Sequence, residues 1–132
     1  MGILVFVIVL ATLILVHECG HFFMARWWHV GVDEFGIGFP PRLFGFTFRP
    51  FRFFRRGVMA HAPATTYTVN ALPFGGFVRL RGEDQLTVGD RGDQSYFTNR
   101  TAGVRISIAI AGVVMNFLTA VILLTAGAFI GV

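Results

Sequence analysis

Residues 3–25 read ILVFVIVLATLILVHECGHFFMA, an apolar run whose only acidic or basic side chains are His17, Glu18 and His21. About 20 apolar residues suffice to cross a bilayer core as a helix. A helix also satisfies its own backbone in lipid, so the run reads as a membrane-spanning helix over 1–25. A secretory signal peptide is the weaker reading. The run has no basic leader, and it passes straight into a charged motif instead of a small-residue cleavage site.

A second run, Ile106 to Ile130, carries no charge and one amide, Asn116. It predicts a second span over 106–132. The composition agrees: 55% of the 132 residues are hydrophobic, 14% are charged, and 16 are phenylalanine. Such a chain has too little polar surface to cover itself in water. The fold class expected is an α-helical integral membrane protein, two transmembrane helices joined by a cytoplasmic-side or re-entrant β-rich segment.

All eleven basic residues are arginine, and all lie between Arg26 and Arg105. The positive-inside rule therefore makes the connection cytoplasmic. Because the arginines alternate with phenylalanines between two apolar runs, anionic lipid headgroups are the expected partner, not nucleic acid. The lone Cys19 excludes an internal disulfide.

Within the connection, 26–80 is expected to be β-rich and interfacial or re-entrant. Alternation in Gly36 to Phe48 suggests short strands broken by Gly and Pro, and Tyr67 to Leu72 suggests another. The run around Arg52, Phe53, Phe54, Arg55 and Arg56 reads either as an interfacial segment or as a solvated loop. Residues 81–105 are polar and Gly/Asp-rich, as in an exposed linker.

The chemistry sits in His17-Glu18-Cys19-Gly20-His21, an H-E-x-x-H motif. Residues four apart share a helix face, so both imidazoles can reach one metal ion. Glu18 points about 100° round the helix, where its carboxylate can activate a water without ligating the metal. Zinc suits this set, because it lowers the pKa of a water it binds to roughly 7. Chance is a poor explanation inside an apolar span, where two imidazoles and a carboxylate are expensive.

No third protein ligand is convincing. Cys19 is on the wrong side of the helix, and His29 lies about 12 Å beyond His21 along a continued helix. Asp33 and Glu34 are near the span's end, without supporting spacing. In the second span, Gly112 and Asn116 read either as a close helix-packing pair or as neighbours of the active site.

Taken together, the pattern resembles the site-2 proteases, in particular the bacterial regulated-intramembrane-proteolysis enzymes. Four elements carry the resemblance over nearly the whole chain. They are His17 to His21; Gly36-Ile37-Gly38-Phe39 with Pro41-Arg42-Leu43-Phe44; Pro73, Gly75, Gly76, Phe77 and Val78; and Gly112 with Asn116. The resemblance implies a multi-pass enzyme of the bacterial inner membrane. It would use zinc, bound by His17 and His21, and a water activated by Glu18 to cut a substrate protein's transmembrane segment. It also implies that the strands around Gly36, Gly38 and Tyr67 to Leu72 hold the substrate extended, and that Asn116 lies near the zinc and contacts substrate or transition state.

Two departures stand out. Residues 49–64 look like an insertion. The family's third zinc ligand, an aspartate in a later span beyond any PDZ domains, is not in this sequence. The expectation is therefore an N-terminal catalytic portion that is inactive alone. The competing expectations are a catalytically incomplete binding module or pseudoprotease fragment and, last, a metal transporter, for which no polar pathway is visible.

Overall fold

The computed structural model describes residues 1–48, 64–83 and 92–131, without the side chains of Pro73 and Phe74. The arginine-phenylalanine run and the insertion expected at 49–64 lie outside the described residues, save Ala64.

Helix α1 spans Gly2–Trp27 and helix α2 spans Ala102–Ile130, with 26 and 29 residues. Both lack proline, and both are long and apolar enough to cross a membrane. Much of their surface is bare hydrocarbon: Ile3, Phe6, Leu124 and Phe129 are all well exposed. The apolar period alone does not place the helix ends. α2 begins ahead of Arg105, and α1 runs through Arg26 to Trp27. Trp27 and Trp28 are exposed at that end of α1, where amphipathic rings suit a membrane–water boundary. α2 closes on Gly131 in the left-handed conformation, whose N–H returns to the Gly127 carbonyl.

The helices cross antiparallel: His17 faces Asn116, Gly20 faces Ala111 and Gly112, and His21 faces Ile108. At Gly20 a Cβ would lie 2.5 Å from the Ala111 carbonyl oxygen and 2.9 Å from Gly112 Cα. Backbones can touch here because neither residue has a side chain at the contact.

Between the helices the chain forms two long bent strands, β1 (Val32–Phe48) and β2 (Thr65–Leu80), where shorter separate strands were expected. Pairing continues through Gly38, whose φ is +81°, and past Pro40 and Pro41, at the cost of repeated register shifts. Prolines offer no N–H to a ladder, which accounts for shifts between Phe39 and Phe44. Residues 34–37 pair on one side with 76–79 and on the other with 66–69, while 65–69 also pair with 44–48. The first part of β1 therefore lies between the two halves of β2, leaving 76–80 and 44–48 as the outer segments.

A small core roots the sheet on the helices: Ala25, Val30, Val32, Leu80 and Ile108 are buried, with Phe22, Val78, Phe97 and Val104 packed around them. Phe97 belongs to the stretch expected to be an exposed linker. Its N–H donates to the Arg81 carbonyl, and the Gly31 N–H donates to Ser95, both at 2.8 Å. These bonds tie residues 95–97 to the start of the sheet. A polar composition had hidden one partly buried ring.

Inside the sheet, Glu34 is buried and takes Arg42 at 2.7 Å, Arg79 at 3.2 Å and the Thr68 hydroxyl at 3.0 Å. Asp33 pairs with Arg81 at 3.2 Å. Both carboxylates, considered above as metal ligands, are thus engaged within the sheet.

Candidate metal centre

α1 carries all three residues of the motif on consecutive turns, facing α2 and the outer segment of β2. The His17 and His21 rings stand edge to face with centroids 4.8 Å apart. Glu18 and His21 open into one cleft of about 360 Å³, together with Phe77, Val78, Glu83 and Ile108. The Val78 backbone N–H is directed at the Glu18 carboxylate. A Cβ on Gly76 would sit 3.4 Å from Glu18 Cγ. The segment Gly76–Val78 thus lies directly against the acid, which the spacing of a Pro-x-Gly-Gly run could not reveal.

His21 Nδ1 lies 2.8 Å from the Ile108 carbonyl oxygen. A carbonyl only accepts, so Nδ1 carries the proton and Nε2 keeps a free lone pair. That is the state a metal-binding imidazole needs, with its second nitrogen anchored. The donor set therefore fits a divalent metal such as zinc at two positions. Among the described residues there is no group of three or more His, Cys, Asp or Glu able to hold a metal.

Asn116 reaches His17: its Nδ2 lies 3.4 Å from His17 Nδ1. Gly36 and Gly38 stand one layer behind that surface, on β1, with the Gly36 carbonyl against Gly76. A Cβ on Gly36 would strike the Phe77 ring, and one on Gly38 the Leu72 carbonyl oxygen. Neither residue lines the cleft. They let the strands and the Phe77 ring pack closely. Gly20 and Val78 are the neighbours that sequence reasoning missed. Gly20 stood inside the motif in plain view, but its role depends on a partner helix some 90 residues away.

The chain matches peptidase family M50 over residues 5–132. It is 34% identical over 122 residues to a Clostridium acetobutylicum protein named "Putative zinc metalloprotease", covering 92% of this chain and 31% of that one. It is 36% identical over 116 residues to the regulator of sigma-E protease RseP of Salmonella typhimurium, covering 88% of this chain and 23% of that one. The chain thus spans about a quarter to a third of the length of these relatives. With that match over nearly its whole length, this chain is a member of peptidase family M50, the site-2 protease family that its motifs resemble.

Proposed function

We infer that this chain is the first catalytic portion of a zinc metalloendopeptidase that cleaves transmembrane segments of substrate proteins within a bacterial inner membrane. The observation that carries the reading is the cleft in which Glu18 and His21 meet the outer segment of β2, with the His17 ring against that of His21.

His17 and His21 would hold the zinc through ring nitrogens. The third ligand would come from outside the described residues, and a carboxylate of a further span is the natural candidate. Zinc, when bound, supplies a Lewis acid that makes water acidic enough to react near neutral pH. Glu18 takes the proton of the attacking water and passes it to the leaving amine. The Val78 N–H holds that carboxylate in place. An unwound substrate segment can lie along Gly76–Leu80, exposing peptide bonds that a helix would shield. Arginine placement puts the β-rich connection on the cytoplasmic side.

Glu18→Gln in the full-length protein should lower cleavage of a transmembrane substrate by about 10²–10⁴-fold while metal content is unchanged. Retained turnover would remove Glu18 from the mechanism. Loss of metal would make it a ligand instead. A second reading, a binding module that cleaves nothing, is favoured by the incomplete ligand set among the described residues. Zinc bound by the full-length wild type without any turnover on unwound substrates would select it.

A further inference from the structure

α2 presents two oxygens to α1, and only one of them is in use. The Ile108 carbonyl accepts from His21 Nδ1–H at 2.8 Å. Eight residues further along α2, Asn116 stands opposite His17 with Nδ2 at 3.4 Å from Nδ1, while its buried Oδ1 has no partner among the described residues. This arrangement is unfavourable in two ways. The contact is at the long limit of a hydrogen bond, and a buried acceptor left empty is destabilising. It also conflicts with metal binding. An Nδ1 that accepts from an amide forces the ring proton onto Nε2, which then has no lone pair to give.

The two ends of an amide are nearly isosteric. A half-turn of the Asn116 side-chain amide sets Oδ1 opposite Nδ1–H at the same separation, so that the acceptor is filled and Nε2 keeps its lone pair, while Nδ2 takes the place that Oδ1 leaves. Gly112 lies between the two contacts and supports the same orientation. A Cβ there would stand 2.6 Å from His17 Nε2 and 2.7 Å from both Cδ2 and Cε1. Near-equal distances place that point over the ring face. In line with the lone pair, the two carbons would be markedly further away than the nitrogen. His17 therefore lies flat on Gly112, and the in-plane lone pair of Nε2 is unobstructed from that side.

We propose that Asn116 is a positioning residue for His17, its amide oxygen accepting Nδ1–H as the Ile108 carbonyl does for His21, so that α2 fixes both metal-binding imidazoles in one tautomer. The assignment rests on the metal-site reading above, and it differs from a role for Asn116 in contacting substrate. Orienting groups of this kind change metal affinity by roughly 10–100-fold when removed.

The test is zinc affinity of the full-length protein, measured by competition with a chromophoric chelator, together with the absorption spectrum of the cobalt-substituted form. Asn116→Leu, which keeps volume and loses the acceptor, should weaken zinc binding about 10–100-fold and alter the cobalt bands. Asn116→Asp, which keeps an acceptor oxygen, should bind within a few-fold of wild type with its cobalt bands preserved. Wild-type affinity and spectrum in Asn116→Leu would overturn the proposal while leaving the metal site intact. Should Asn116→Leu fail to fold, nitrogen-15 histidine spectra of the zinc-free wild type decide. A proton on His17 Nδ1 supports the proposal, and a bare Nδ1 overturns it. Absence of zinc binding by the wild type would defeat the metal-site reading and this proposal together.

Discussion

Two glycines carry more of the metal centre than their side chains suggest. Gly20 and Gly112 face each other across the helix crossing, where a Cβ on either would meet backbone or an imidazole. Gly112→Ala places a methyl over the His17 ring, so it should displace the imidazole and cut zinc affinity at least tenfold in a chelator competition. Gly20→Ala pushes on the Ala111 carbonyl, which is backbone and cannot swing away. It should cost about 1–3 kcal/mol against detergent-induced unfolding, as overpacked contacts do. The motif itself was fully legible in the sequence, because a spacing of four on a helix is local information. The close approach was half legible. Gly112 and Asn116 suggested a packed face, but Gly20 as the matching surface needed the partner's position. Val78 could not be foreseen at all, since what counts there is a backbone N–H aimed at Glu18.

At the level of elements, the sheet is held by one buried carboxylate, and its pairing pattern explains why the sequence misled. Alternation shows that a segment is extended but does not say which neighbours it finds. Residues 34–37 find two, on either side, across separations of roughly 30 and 40 residues. Glu34 sits at that junction beneath Arg42, Arg79 and Thr68. Both arginines are half exposed and can return to water, so Glu34→Ala should cost about 1.5–3 kcal/mol, the worth of hydrogen bonds to one charged group. Amide exchange across 34–37 and 66–69 should accelerate together in that variant; protection retained in both segments would deny Glu34 its role. The turn at 93–97 has a pH dependence of its own. Asp93 accepts from the Ser95 N–H at 2.8 Å and from its hydroxyl, and with Arg81 and Arg100 nearby its pKa is lowered. A lowered pKa contributes stability above the ordinary aspartate range, and that stability fades as pH falls through the folded value. Ser95 amide protection should thus hold at neutral pH and decline below about pH 4, whereas an Asp93→Asn protein should show no such decline.

For the whole molecule, the distribution of charge and the geometry of the helices make one topological statement. Trp27 and Trp28 mark one end of α1, and His17 lies ten residues deeper, about 15 Å along the axis. With a hydrocarbon core of about 30 Å, the proposed membrane topology would set the motif near mid-depth. A Gly92→Cys probe in a Cys19→Ser background has open space around it, and it should react with an impermeant thiol reagent only from the cytoplasmic face. Labelling from the opposite face would invert the topology and remove the basis for a cytoplasmic connection. The same long-range contacts also impose an order on biogenesis. The oxygen that anchors His21 follows it by 87 residues, and Asn116 follows His17 by 99. At about 5–20 residues per second of translation, α1 precedes the completed α2 by roughly 5–20 s. During that interval its two imidazoles have no orienting oxygen and no glycine surface to lie on. In the proposed metal site, capture would thereby wait until the second helix arrives, and a nascent chain stalled before Ala102 should hold zinc no better than a free peptide bearing the same pair of histidines.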